Sequence, residues 1–530
     1  MTDAADLVVT DGELHTLGEP DETHAALAVR DGEILRVGND YDIEFLVGPE
    51  TTRIDLDGRV VLPGFVDAHT HLTNAGRSLV HADLSTADTA SEAVELLADR
   101  AAETAGRSAG DDAASADDTG DRAEYVLGFG YDESSWPGGE YLTAADLDPV
   151  GGDRPVIAFR EDMHVASVDS VTLERHRDAM PDDDVQTTDD ADGGEPTGVV
   201  VEEAVDPLYD AVEPDRAATR ELVEAAQAAA TRRGVTGVHD MVRRSHAPAV
   251  YRTLDAAGEL DLRVRLNYWT DHLDALIETG ARTNHGSGLV QTGAIKTYTD
   301  GSFGGRTAKL SEPYTDGNGT GQWVVDSEEL REYVARADDH GFQFTAHAIG
   351  DEAIRAVVDA YEDLTDPETA RHRIEHVELA DDDLLDRIAN NGIVASMQPN
   401  FLKWAGEDGL YDARLGDRRG ETNRLAAYHE RGAHLAFGSD CMPLDPLLGV
   451  HHAVNAPESG QRLGVTDALR AYTSGAAYAG FDEHRLGTIE PGNCADLTVL
   501  DASPWEQPGA IHEIDVAATV VDGRVVYEDL

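Results

Sequence analysis

His69 and His71, in the run VLPGFVDAHTHL (Val61 to Leu72), are the first residues of this sequence whose types and spacing point to chemistry. The residues before them read as a buried strand, and on a strand residues i and i+2 point to the same side. Two imidazoles are thus aimed at one point where the strand stops. A core has little use for that arrangement, whereas a metal ion does. Other strand-like runs carry comparable groups at or near their C-terminal ends: His239 with Asp240 in VTGVHDM, Lys296 in GAIKTYT, His347 in FQFTAH, His376 in RHRIEH and Asp440 in HLAFGSD. With 21 histidines in the chain, a single one ending a strand would mean little. Nitrogen ligands and a carboxylate recurring at the ends of separate strands are harder to assign to packing.

Lys296 stands out by its rarity. Of 41 basic residues only Lys296, Lys309 and Lys403 are lysines, the others being arginine. Arginine is permanently charged, but a desolvated lysine can lose its proton and act as a nucleophile. A lysine kept inside an apolar strand of such a chain is expected to be there for its chemistry. Lys309 and Lys403 have no comparable setting.

The elements that must position these residues read as parallel α/β architecture. Eight runs are candidate barrel strands: 64–71, 235–241, 262–269, 293–299, 342–347, 371–376, 393–398 and 434–440. Helical patterns follow most of them; in GDEAIRAVVDAYEDL, Ile354, Val357, Val358 and Tyr361 fall at helical spacing, with Asp351 placed to cap. The expected fold is α/β, a (β/α)8 TIM barrel over about 61–480, whose active site lies at the C-terminal ends of the strands. The gap after the first strand is too long for a single connection, so an inserted subdomain is expected over about 80–230. Asp-Gly pairs at 11–12, 31–32, 57–58 and 522–523 sit between short β-type runs, a hairpin signal. Residues 1–60 and 481–530 are therefore expected to combine into one small β-sandwich. Gly110–Glu124 and Pro181–Glu195 are acidic and poor in apolar side chains, and read as surface loops.

Composition excludes several functions. With 104 acidic residues the formal net charge is −63, which repels nucleic acid and anionic membranes. The acidic excess runs along the whole sequence and reads as the surface of a protein adapted to high salt, as in a halophile. There is no run of about 18 apolar residues to span a bilayer. The first residues lack the basic start and apolar core of a signal peptide, and Cys441 and Cys494 suggest no disulfide framework. A soluble cytoplasmic protein is expected.

PGFVDAHTHL, GVTGVHD, KTYTDGSFGGRTA, HAIGDEA, RIEHVEL, AFGSD and GTIEPGNCADLTVLD, taken in order, resemble the amidohydrolase superfamily. Within it the chain is similar to the YtcJ-like metal-dependent hydrolases (amidohydrolase-3), the group of N-substituted formamide deformylase. The resemblance implies two zinc ions, with His69 and His71 on the more buried one and His347 and His376 on the second. Lys296 would be carbamylated to bridge them. Asp440 would touch the metal, accept a proton as general base and return it to the leaving amine. It implies hydrolysis of a non-peptide carbon–nitrogen bond, amide or N-formyl. A deaminase or an ester, lactone or phosphotriester hydrolase on the same barrel is the alternative. Relatives that deaminate generally use one metal and no bridging lysine, so Lys296 argues against them. A non-catalytic regulatory protein on this scaffold is a further alternative, opposed by the six ligand candidates retained.

Around that site, Arg306 in DGSFGGRTA would hold either a substrate carboxylate or its own loop. His164 in FREDMHVAS is expected to face substrate. Trp136, Trp323 and especially Trp404 are candidate pocket walls. His239 and Asp240 match no ligand of the family and are expected to hydrogen-bond behind the ligands. Cys441 is expected to pack, and His451-His452 receive no role. The substrate is expected to be a small molecule, and the superfamily makes a homodimer plausible.

Overall fold

The computed structural model describes residues 4–107, 125–133, 136–161, 165–188 and 194–530, with the side chains of 105–107 excepted. Eight parallel strands form the central sheet. They are β1 (Phe65–Thr70), β2 (Val235–Val242), β3 (Arg263–Trp269), β4 (Val290–Tyr298), β5 (Phe344–Ala348), β6 (Arg373–His376), β7 (Val394–Met397) and β8 (His434–Phe437). Neighbours in sequence are neighbours in space from β1 to β8. The ladder does not continue between β8 and β1, but the Asp440 amide donates to the His69 carbonyl at 2.8 Å, so the barrel is nearly closed. Most strand residues are buried on both faces, as a parallel sheet wrapped by helices requires.

The helix Asp351–Glu362 after β5 shows how local pattern and packing agree: Ile354, Val357, Val358 and Tyr361 are all buried. Its cap differs from the expected one. Gly350 is the N-cap residue, and Asp351, one position later, instead accepts from the Ser311 amide at 3.0 Å. The free amides at this helix start are met by Asp300, which accepts from Ile349 at 3.1 Å and Gly350 at 2.9 Å. The Glu352 amide donates to the Lys309 carbonyl at 3.2 Å, so a carboxylate and a carbonyl from the loop after β4 together do the work that sequence spacing assigned to Asp351.

The chain divides into two compact units, one of Met1–Leu72, Gln227–Arg244 and Tyr251–Leu530, the other of Thr73–Ala226 and Ser245–Val250. Beside the barrel, the first unit contains two sheets with strands from both chain ends. One is four-stranded and lies within residues 7–55; the other is six-stranded and joins Glu13–His15, Thr23–His24 and Val60–Pro63 to Leu497–Leu500, Val516–Val521 and Arg524–Glu528. Leu7, Val29 and Ile54 of the first share one apolar cluster with Leu14, Val61, Leu497 and Val520 of the second. Asp31-Gly32 and Asp522-Gly523 close antiparallel hairpins with both residues at positive φ. Asp11-Gly12 and Asp57-Gly58 do not: each carries the chain from one sheet to the other. At Asp57-Gly58 both residues again have positive φ, so there the partner strand rather than the local turn decides what is connected; at Asp11-Gly12 only the aspartate does.

The second unit holds a six-stranded mixed sheet, from Val185–Thr187 at one edge to Ala82–Asp83 at the other. Leu84, Leu97, Tyr131 and Leu147 form one apolar cluster, and Phe129, Phe159, Val168 and Leu208 another. Val185–Thr187 corrects the loop reading of Pro181–Glu195: it pairs with Pro196–Val201, and Val185 joins the second cluster. A single valine in an acidic run suffices to seat an edge strand. The segment Gly110–Glu124 lies outside the described residues. No helix among the described residues is long and apolar enough to cross a membrane.

Candidate metal centre

The strand ends bring the ligand candidates together. Nitrogen and oxygen ligand atoms of His69, His376 and Asp440 lie within 4.8 Å of one another. His71 reaches the same carboxylate, its Nε2 being 3.6 Å from Asp440 Oδ1, and His69 Nε2 is at the same distance. The His347 ring stands 4.5 Å from that of His376, centroid to centroid. Lys296 is fully buried, with its Nζ 5.5 Å from the Tyr298 ring centre and 5.9 Å from that of Trp269.

Three buried nitrogens here have no hydrogen-bond partner among the described residues: Lys296 Nζ, His347 Nδ1 and His376 Nδ1. Orphaned buried polar atoms are costly, and three at one barrel mouth call for something to satisfy them. Imidazole nitrogens with a carboxylate form the donor set of zinc and similar ions. The residues present therefore fit a metal.

The electrostatics agree with that use. Burial drives His71 down to about 4 and His347 to about 3, and His376 also falls well below the usual histidine range. These rings are neutral near pH 7, as ligands must be. Burial also lowers Lys296 to about 8, partly opposed by the charges of Glu375 and Asp440, so a neutral amine is accessible near neutrality.

The backbone is bent to deliver these groups. His376 (φ 70) and Val377 (φ 43), like Asp440 (φ 53) and Cys441 (φ 59), are in the left-handed region, where a side chain costs roughly 1–2 kcal/mol. Cys441 takes part in the support: its sulfur lies 2.8 Å from the Thr70 hydroxyl and accepts from the His71 amide at 3.3 Å. Burial pushes its thiol up, away from the thiolate a ligand would need.

Several residues that sequence reasoning passed over complete the site. Asp67 accepts from the His69 amide at 3.1 Å and the Ser439 amide at 3.0 Å, tying the end of β1 to that of β8. Glu375 accepts from His69 Nδ1 at 2.6 Å, and Arg373 backs Glu375 at 2.8 Å. The signal was available: Asp67, His69 and His71 alternate on one strand face, as Arg373 and Glu375 do in RHRIEH. His239 faces Arg373, Nδ1 to Nη1 at 2.8 Å, rather than the ligand cluster.

Asp240 accepts from the Leu72 amide at 2.9 Å and from the Tyr251 hydroxyl at 2.7 Å. Burial nevertheless raises it from 3.8 to about 6. The folded state thus holds this proton more tightly than the unfolded one. The resulting stability is complete below pH ~4 and is lost as pH rises through about 6. Asp240→Asn should remove that slope, gaining on the wild type by at most roughly 3 kcal/mol between pH 4 and 7. Unfolding midpoints of both proteins across that range provide the test, and parallel curves would contradict it.

Of the expected substrate contacts, Arg306 donates to Asp316 through Nε at 3.0 Å and a terminal nitrogen at 2.7 Å, so in this conformation it holds its loop. Trp404 packs 4.9 Å from Phe401, whose ring stacks on His376 at 5.8 Å. His164 lies outside the described residues. Trp136 is not a pocket wall: it is buried among Leu84, Tyr131 and Leu147, with its Nε1 donating to the Ala87 carbonyl at 2.9 Å. A shallow cleft near the N-terminal ends of β2 to β4 holds none of the ligand candidates. It is lined in part by Arg263, Arg265 and Arg485, which are paired with Asp496 and Asp482, so the chemistry belongs to the opposite end.

A nearly closed parallel eight-stranded barrel with imidazoles, a carboxylate and a buried lysine at its C-terminal mouth defines a hydrolase of the metal-dependent barrel class. Residues 52–527 match the amidohydrolase family, and the chain belongs to it. YtcJ of Bacillus subtilis is 31% identical over 98% of this chain and 98% of its own length. N-substituted formamide deformylase of Arthrobacter pascens is 26% identical over 100% and 99%. An uncharacterized metal-dependent hydrolase from Pyrococcus furiosus superposes with a TM-score of 0.78 at 28% identity, covering 94% of this chain and 99% of the other.

Proposed function

We propose that this protein hydrolyses a non-peptide carbon–nitrogen bond, amide or N-formyl, in a small-molecule substrate. The reading rests chiefly on Lys296 Nζ, fully buried, without a hydrogen-bond partner among the described residues, and electrostatically coupled to His347, His376 and Asp440. Its neutral amine would add to carbon dioxide and release one proton, and the resulting carbamate would join His69, His71, His347, His376 and Asp440 in holding two zinc ions. Bound there, the metal supplies an acidified water and polarises the substrate carbonyl. Asp440, a few ångströms from the His69 and His71 nitrogens, takes the proton of the attacking water at Oδ1 and returns it to the departing nitrogen. Trp404 and Phe401, with Trp269 and Tyr298, would wall the substrate, and Arg306 would be released from Asp316 if the substrate carries a carboxylate. The likeness to N-substituted formamide deformylase supports trying N-formyl amines first. In the same reading the two sheets built from the chain ends form the β-sandwich domain, and residues 73–226 form a subdomain inserted after β1.

Metal content by mass spectrometry, in high-salt buffer, tests this on wild type, Lys296→Ala and His69→Ala. Near two zinc equivalents in wild type and a clear loss in both variants is expected. One equivalent indifferent to Lys296 would favour a mononuclear, deaminase-like centre. A wild type that takes up no metal would remove the reading.

A further inference from the structure

We propose that Glu375 sets the tautomer of His69 and so decides whether that imidazole can ligate; the inference rests on the metal centre proposed above. Glu375 is fully buried, with no solvent to rearrange its bonds. Its Oε2 is 2.6 Å from His69 Nδ1. Its Oε1 accepts from the Thr345 hydroxyl and forms an ion pair with Arg373 Nη2 at 2.8 Å. A carboxylate only accepts and a guanidinium only donates, so the directions in this chain are forced. His69 must carry its hydrogen on Nδ1, which leaves the Nε2 lone pair facing Asp440, 3.6 Å away.

Arg373 is itself fixed from behind. It is fully buried and donates to the Ala68 carbonyl at 2.5 Å and the Ser396 hydroxyl at 3.0 Å. Its Nη1 faces His239 Nδ1 at 2.8 Å, which must therefore accept. His239, Arg373, Glu375 and His69 form one buried chain of hydrogen bonds and an ion pair across the barrel interior, and its orientation leaves the Nε2 lone pair of His69 free toward the ligand cluster.

This arrangement makes an inverted prediction. In Glu375→Gln, the Thr345 donor and the Arg373 cation still face the Oε1 position, so the amide oxygen stays there and the NH2 group takes the place of Oε2. His69 Nδ1 would then have to accept, its hydrogen would move to Nε2, and ligation would be blocked. In Glu375→Ala a water can fill the space and accept from Nδ1. Zinc titration of chelator-stripped protein should show the isosteric glutamine weakening binding about 100-fold, and the truncated alanine only about 10-fold. A residue that served packing alone would give the reverse order.

Nitrogen-15 spectra of histidine-labelled, metal-free protein, with the His69 signal assigned by its loss in His69→Gln, read the tautomer without metal or activity. The Nδ1–H form is expected in wild type and the Nε2–H form in Glu375→Gln. An Nε2–H wild type, or a folded glutamine variant binding zinc within about threefold of wild type, would overturn the proposal. If the glutamine variant does not fold, the wild-type spectrum decides alone. Failure of the wild type to bind zinc would instead strike the proposed function, with the tautomer still legible in the same sample.

Discussion

Asp440→Asn is expected to lower kcat/KM by about 1,000- to 10,000-fold on the best substrate of an N-acyl and N-formyl amine panel, with KM little changed. The substitution keeps shape and volume but removes the carboxylate of the cluster that His69 and His376 form with it. Proton transfer by a positioned group contributes about 10²- to 10⁴-fold. The charge it lends to the metal adds to that, and three decades correspond to about 4 kcal/mol of transition-state stabilisation. The left-handed backbone at Asp440 and Cys441 is what turns the carboxylate toward the imidazoles, and asparagine tolerates that conformation. The loss should therefore come with an unchanged fold. Steady-state kinetics beside metal analysis is the check, and more than a tenth of wild-type activity would refute the assignment of Asp440 as the proton carrier.

Gly438→Ala should be nearly as damaging, although Gly438 bears no functional group. A Cβ there would lie 2.4 Å from the His69 amide nitrogen and 2.7 Å from the His69 Cβ, closer than atoms can approach. The neighbours that would have to yield are backbone and the first ligand itself. They sit at the seam where the ends of β8 and β1 meet through Asp440 to His69 and Ser439 to Asp67. Opening that seam should cost about 2–3 kcal/mol, as overpacking of a tight interior does. It should also shift His69 enough to reduce zinc affinity at least about tenfold. Gly460→Ala is the control, because its Cβ would meet nothing within 4 Å. Thermal unfolding and zinc titration of both variants test this; equal behaviour would mean that the seam yields without consequence.

The positions of the barrel strands were legible because most are short, largely buried apolar runs, and burial on two faces leaves a strong mark on composition. The metal-ligand candidates were legible for a related reason: polar groups at the ends of apolar strands have little else to do. Asp67 and Glu375 were harder, because a buried carboxylate behind a ligand looks in sequence like any other acidic residue, and this chain has 104 of them. Asp351 shows the converse error, a correct residue type in the right place whose task had been taken by Asp300 from another loop.

Local sequence alone therefore set the strand periodicity, the amphipathic helices, the tight Asp-Gly turns and the residue types at the barrel mouth, since these depend on neighbours a few positions apart. The fold alone decided which carboxylate serves which amide, which turns become hairpins, and that Glu375, 306 positions from His69, lies against its ring. Hydrogen bonds of about 3 Å are settled by three-dimensional proximity, and in a parallel barrel that proximity arises between residues hundreds of positions apart.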